Sequence, residues 1–128
     1  MILARRSLWF LGMCFLWFAP LLLESTAWGQ NTITVPNDYP TIQKAIDAAQ
    51  PGDNVFVKAG WYVESIAIGK PIKLVGEGRA LTFIRPSNPE QPVISVMASN
   101  GEVLIQNLSI GGGKEGIEYR GQGRLVIQ

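Results

Sequence analysis

Short runs of alternating apolar residues, repeated from Gly52 onward, limit the fold of this chain more than any other feature. Most runs are three or four residues long, and turns containing Gly, Pro, Asn or Lys separate them. Strands this short and this regularly spaced are typical of either a β-sandwich or a solenoid. The runs cover residues 55–57, 66–68, 72–75, 83–84, 93–96, 103–105, 108–110, 117–119 and 125–127, and an earlier run covers 33–35.

The connections between these runs favour the solenoid. Tight hairpins prefer Asn-Gly or Asp-Gly turns, and the chain has a single such pair, Asn100-Gly101. The bend between Ile105 and Leu108 is two residues long and turns a corner rather than reversing the chain. Similar runs return after about 20 to 25 residues, which suits one coil of a three-sided β-helix with coils roughly 4.8 Å apart. We therefore predict an all-β fold, a parallel β-helix of two to three coils.

One short helix is predicted ahead of the first coil, at about residues 40–50. Its apolar residues are spaced at i, i+3, i+4 and i+7, which places them in one stripe along a helical face. Pro40 suits the first turn, Asp38 is a nearby capping candidate, and Gly52 lies just beyond the end. Because the end of a β-helix exposes unpaired backbone and apolar core, we expect this stripe to cover it. The stripe consists of Ile42, Ala45, Ile46 and Ala49.

No matching cap is recognisable at the other end of the sequence, where residues 125–128 lie inside a predicted strand. We therefore expect the chain to be truncated or to be the front part of a longer protein. Residues 30–128 are interpreted as the N-terminal portion of a β-helix domain. If the protein ends at Gln128, the uncapped coil is expected to self-associate.

The first 29 residues are typical of a cleavable secretory signal peptide. Arg5 and Arg6 form a basic start, residues 8–23 are almost wholly apolar, and the small-residue site Ala27-Trp28-Gly29 follows. A leader has this order, whereas a membrane span needs about 20 apolar residues. We predict cleavage after Gly29 and an exported protein, in the periplasm, at the cell surface or outside the cell. An uncleaved N-terminal anchor and a twin-arginine export signal are the alternatives.

Cleavage would leave a chain without cysteine, and the sequence contains no histidine. Removing Arg5, Arg6 and Glu24 from 11 basic and 10 acidic residues leaves nine of each. This balance argues against nucleic acid or an acidic membrane surface as a partner. No cofactor and no metal site is predicted.

Four motifs resemble one known family of β-helices. Residues 33–84 are similar to the N-terminal region of the pectin-lyase-like superfamily, the right-handed parallel β-helices, and most similar to pectinesterases and to exported bacterial proteins of unassigned function. Residues 103–110 and 116–117 resemble the later coils of the same proteins. The motifs are Tyr39-x-Thr41-Ile-Gln43-x-Ala45-Ile46, Gly60-x-Tyr62-x-Glu64, Leu74-Val-Gly-Glu-Gly78 and Thr82-x-Ile84.

The resemblance implies a fold and a polysaccharide-related role, but it places no catalytic residue in this chain. In the family the catalytic aspartates, glutamines and arginine lie in coils beyond the matched region. The aspartates after residue 29 are Asp38, Asp47 and Asp53, and all three flank or lie on the predicted helix. Whether a longer parent is a carbohydrate esterase or a polysaccharide lyase stays open.

Trp61 and Tyr62 are the candidate carbohydrate contacts. Aromatic faces suit the C–H surfaces of sugar rings, and the family usually has a small residue at the position of Trp61. The alternative is structural, with Gly60 making a bend, Tyr62 packing and Glu64 accepting hydrogen bonds. The sequence favours the structural interpretation for the motif as a whole and leaves Trp61 as the main candidate for sugar contact.

Two further motifs have structural interpretations. Residues 111–116 match G-x-G-x-x-G, but a strand rather than a helix is predicted to follow, so we expect a coil turn and not a nucleotide-binding loop. Asn107 begins an N-x-S triplet, and we expect it to occupy the bend between two strands.

The leading functional prediction is an exported protein, or the front part of one, that binds or acts on polysaccharide. The alternative is a non-catalytic structural or adhesive module of the cell envelope.

Overall fold

The computed structural model describes residues 30–128, so the predicted signal peptide and its cleavage site lie outside the described residues. The described part contains one helix, α1 (Ile42–Ala48), and eleven short strands. The strands are β1 (Thr32–Val35), β2 (Asn54–Val57), β3 (Gly60–Val63), β4 (Ile66–Ile68), β5 (Lys73–Gly76), β6 (Thr82–Arg85), β7 (Ile94–Val96), β8 (Glu102–Gln106), β9 (Ser109–Ile110), β10 (Ile117–Tyr119) and β11 (Arg124–Ile127).

The strands form three parallel sheets that wind as a solenoid. Sheet A has the order β1-β2-β5-β8-β11, sheet B the order β3-β6-β9, and sheet C the order β4-β7-β10. Each coil therefore contributes one strand to each sheet, and three complete coils are present, with β1 before them and β11 after them. This is a right-handed parallel β-helix, and the predicted fold class is confirmed.

The core consists of aliphatic side chains stacked from coil to coil. Parallel pairing places Val55 beside Leu74 and Leu74 beside Ile105 in sheet A. In sheet C, Ile66 and Ile94 stack in the same way. All five side chains are buried. Because successive residues of a strand point to opposite faces, the residues between them lie on the outside, and the outward side chains of successive coils form the outer face of each sheet.

Helix α1 packs across the N-terminal end of this stack and contacts β1, β2 and β4. Its residues Ile42, Ala45 and Ile46 are buried, as the predicted stripe requires. The predicted capping residue was wrong. Thr41 is the N-cap, and its side chain accepts a hydrogen bond from the Lys44 amide at 3.2 Å. Asp38 instead closes the preceding turn, because its carboxylate accepts from the Thr34 amide at 2.7 Å.

Side chains at both ends of α1 join it to the first coil. At its end, the Lys70 ammonium donates to the carbonyls of Asp47 at 3.1 Å and Ala49 at 2.7 Å. The Glu64 carboxylate accepts hydrogen bonds from the amides of Ile42 at 3.0 Å and Gln43 at 2.9 Å. The Gln43 side chain accepts from the Ala67 amide at 2.8 Å and donates to the Ala67 carbonyl at 3.1 Å. The Gln43 amide group thus bonds the β4 backbone as a neighbouring strand would, at the edge where sheet C begins.

The bends match their structural interpretation. Asn107 has a φ of 57° and connects β8 to β9, a left-handed conformation that Asn tolerates better than most residues. Residues 111–116 connect β9 to the strand β10, so this glycine-rich segment is a coil turn. At seven residues α1 is far too short to cross a membrane, and no other helix occurs in residues 30–128.

Candidate functional site

Strand β3 separates the two residues that the sequence proposed for carbohydrate contact. Trp61 lies on the outer face of sheet B, and 73% of its surface is exposed. Tyr62 points the other way and packs against the core. Its hydroxyl donates to the Lys58 carbonyl at 2.9 Å. Of the two candidates, only Trp61 therefore presents its ring on the outer face of the solenoid.

Phe83 joins Trp61 on this face and was missed in the sequence analysis. It is the parallel-strand partner of Trp61, one coil further along. The ring centroids are 4.4 Å apart and the ring planes differ by 13°, so the two rings are stacked. The signal that could have revealed Phe83 is its alternation with the buried Ile84, which sends the two side chains to opposite faces. The distance of 22 residues from Trp61 to Phe83 matches one coil.

The outer face of sheet B continues beyond the aromatic pair. Ser109 of β9 is the parallel-strand partner of Phe83, and Arg85 of β6 is the partner of the exposed Val63. A cleft of about 420 Å³ opens here. Its lining includes Trp61, Phe83, Arg85, Ser109, Gly111 and Gly112.

The charged group of this cleft is the guanidinium of Arg85. Arg85 is exposed, and within residues 30–128 no carboxylate lies within ion-pairing distance of it. An Arg side chain presents five N–H donors in a planar fork. The cleft thus combines a flat aromatic wall with a hydrogen-bond donor at its rim, which is the combination that holds a polar ring with one apolar face.

The residues around Tyr62 have structural roles. Gly60 has a φ of 155°, and a side chain added there would meet the Tyr62 ring at 3.5 Å. Burial of Tyr62, followed by the negative charges of Glu64 and Glu77, raises the pKa of its phenol. With Glu64 bonded to α1, this motif positions strand β3 and thereby orients Trp61 outward.

Two other outer faces carry shallower clefts. A cleft of about 290 Å³ on sheet C is lined by Ser65, Ser95 and Glu118 among others. One of about 330 Å³ on sheet A includes Phe56 and Lys73. The one stacked aromatic pair found in residues 30–128 belongs to sheet B, so this face is the candidate site.

The three aspartates after residue 29 serve local structure. Asp53 accepts from the amides of Asn31 at 3.1 Å and Gln50 at 2.9 Å. Asp47 accepts from the Gln43 side chain at 2.9 Å. With Asp38 in its turn, none of the three faces the cleft on sheet B. Within residues 30–128, no cluster of three or more acidic, His or Cys side chains is arranged to hold a metal ion.

Comparison with known proteins identifies no family for this chain. The chain matches no protein-family model, and a search of curated proteins found no similar sequence. The β-helix fold and the outer face of sheet B are therefore the basis for a functional assignment.

Proposed function

We propose that this chain belongs to an exported β-helix protein that binds polysaccharide, and that the outer face of sheet B makes the contact. The stacked pair of Trp61 and Phe83 carries the proposal. An exposed tryptophan held by a second ring is a rigid apolar surface that faces solvent.

The physical basis is the match between aromatic rings and sugar rings. A pyranose has C–H groups on its faces and hydroxyls around its edge, so it can cover an aromatic face while its rim stays hydrogen-bonded. Burying an aromatic ring removes a large apolar area from water. Because Phe83 already holds Trp61 in place, little side-chain freedom remains to be lost on binding.

Export and the resemblance to pectin-lyase-like proteins support the same proposal. The predicted leader would deliver the β-helix beyond the membrane, where polysaccharides are found. The motifs of residues 33–84 resemble proteins that act on pectin. We assign no reaction to the chain, because none of its residues matches a catalytic position of that family.

An adhesive module of the cell envelope is the second candidate function. Val63 lies beside Trp61 on strand β3, and 54% of its surface is exposed. Neighbouring exposed apolar side chains also suit docking to a protein. This alternative predicts binding to envelope proteins and none to soluble glycans.

A glycan panel with matched variants tests the proposal. If cleavage follows Gly29, Trp61 is the single tryptophan of the exported protein, so quenching of tryptophan emission reports on the site in the wild-type protein and in Phe56→Ala. Trp61→Ala has no tryptophan, so its binding is measured by isothermal titration. We expect Trp61→Ala to abolish binding of the preferred glycan with an unchanged far-UV spectrum. Phe56→Ala, on the outer face of sheet A, should retain wild-type affinity. Failure of the wild-type protein to bind any glycan, or equal binding by Trp61→Ala, contradicts the proposal.

A further inference from the structure

The aromatic stack on the outer face of sheet B ends after two members. Trp61 and Phe83 are stacked 4.4 Å apart, close to the strand spacing of about 4.8 Å. Strand β3 lies on one side of β6 and β9 on the other. Trp61 therefore covers one face of the Phe83 ring, and the opposite face is directed toward β9.

The next position in the stack holds a small side chain. Ser109 is the parallel-strand partner of Phe83. Its hydroxyl donates to the Arg79 carbonyl at 2.7 Å, which fixes the side chain. Ser109 carries only a hydroxymethyl group where the two preceding coils carry aromatic rings, and it lines the cleft of about 420 Å³ together with Trp61 and Phe83. The cleft therefore extends over the third position of the stack.

We propose that this gap is a subsite for one sugar ring, which stacks on Phe83 as the third member of the series. The inference rests on the proposed function and specifies where on this face one sugar ring would bind. The sugar ring would lie nearly parallel to the two aromatic rings, against the exposed face of Phe83. Ser109 is then the residue that sets specificity, because its small size keeps the position open.

The rim of the gap favours a pyranose over a flat apolar ring. The Arg85 guanidinium lines the cleft and can donate to ring or hydroxyl oxygens. The Ser109 oxygen, which already donates its proton, retains lone pairs that can accept from a hydroxyl. A cleft of this volume is at the lower end of the roughly 300–1,000 Å³ usual for small-ligand sites, which suits one or two sugar rings.

Filling the gap with a side chain tests the subsite. Isothermal titration of the exported protein with cellohexaose and with oligogalacturonate provides two sugar probes, and phenol provides a flat aromatic ring. We expect Ser109→Phe to lower the affinity for the bound sugar at least tenfold, because the new ring occupies the third position. Ser95→Phe places the same ring on the outer face of sheet C, away from the gap, so it should bind within about twofold of wild type.

The controls separate failure of the subsite from failure of the proposed function. Wild-type affinity in Ser109→Phe, with binding lost in Trp61→Ala, overturns the subsite and leaves glycan binding on this face intact. Binding of neither sugar by the wild-type protein overturns both, and binding of phenol alone overturns the sugar as occupant. If thermal melting shows that Ser109→Phe does not fold, Arg85→Gln decides the question. A severalfold loss of sugar affinity supports the subsite, and no loss overturns it.

Discussion

Tyr62 lies next to Trp61 on β3 but faces the opposite side of the strand. Its ring packs inward against the core while its hydroxyl donates to Lys58. The same strand therefore exposes Trp61. Trp61 and Tyr62 are adjacent aromatic residues in the sequence. Because successive side chains of a strand point to opposite faces, the two have different roles.

The raised pKa of Tyr62 leads to a prediction about alkaline stability. In the unfolded chain the phenol loses its proton near pH 10, whereas burial and the charges of Glu64 and Glu77 keep it protonated to higher pH in the folded protein. The unfolded state then binds fewer protons, so the free energy of unfolding falls as pH rises. The contribution of Tyr62 is present below about pH 10 and is lost as pH rises through the raised pKa.

Tyr62→Phe should remove this contribution and its pH dependence together. Urea unfolding of both proteins between neutral pH and the alkaline limit measures the difference in their free energies of unfolding. We expect that difference to be constant at neutral pH and to shrink above about pH 10. A constant difference over the whole range would contradict the pKa shift.

Residue roles could be predicted from the sequence where they depend on local chemistry. Trp61 was identified because an aromatic residue after a bend glycine is conspicuous. Phe83 was not, because its role depends on the register between two coils, which separates it from Trp61 by 22 residues. Asp38 was predicted as the helix cap because Asp is a good capping residue, but only the turn geometry shows that its carboxylate closes the preceding turn and that Thr41 caps the helix.

Helix α1 is attached to the solenoid at both ends, by Glu64 at its beginning and by the Lys70 ammonium, which donates to the Asp47 and Ala49 carbonyls, at its end. A seven-residue helix is too short to be stable alone, so its packing and its bonds to coil 1 hold it in place. The Glu64 carboxylate accepts from two amides in the first turn of the helix. Those amides have no partner within the helix.

Glu64→Ala should therefore destabilise the protein by about 1–3 kcal/mol, since hydrogen bonds to a charged acceptor are worth more than neutral ones. Urea unfolding measures the change, and amide hydrogen exchange at Ile42 and Gln43 should accelerate. Glu90→Ala, an exposed carboxylate in the loop between β6 and β7, is the matched control and should stay within about 0.5 kcal/mol of wild type. Equal stabilities of the two variants would mean that the carboxylate does not hold the helix.

Among the elements, most strands and the helix were located by their apolar patterns. Strand β3 was not, because its residues Trp61 and Tyr62 are both aromatic and conceal the alternation of exposed and half-buried positions. The role of Glu64 as an acceptor was expected. Its partners on a helix 21 and 22 residues earlier were not, since only the folded coil brings them together.

At the scale of the whole molecule, the close approach of neighbouring coils decides which substitutions the solenoid accepts. Gly76 is the last residue of β5, and it lies against the bend that follows β8. A Cβ added to Gly76 would clash with the carbonyl oxygen of Asn107. The obstacle is backbone, so no side-chain rotation can relieve it. The second and third coils would have to move apart, and the hydrogen bonds between their parallel strands would lengthen.

Gly76→Ala should consequently destabilise the fold by about 1–3 kcal/mol or more, as forced overpacking does. Gly69→Ala provides the control, because no atom lies within 4 Å of its added Cβ and its φ is not positive. Replacing glycine there should be neutral or stabilising by up to about 1 kcal/mol, through the lower entropy of the unfolded chain. Urea unfolding compares the free energies of unfolding of the two variants. Amide hydrogen exchange in β5 and β8 should be faster in Gly76→Ala. If Gly76→Ala were as stable as Gly69→Ala, the coils could not be packed as closely as the β-helix requires, and the stacked geometry inferred for Trp61, Phe83 and the gap beside Ser109 would lose its basis.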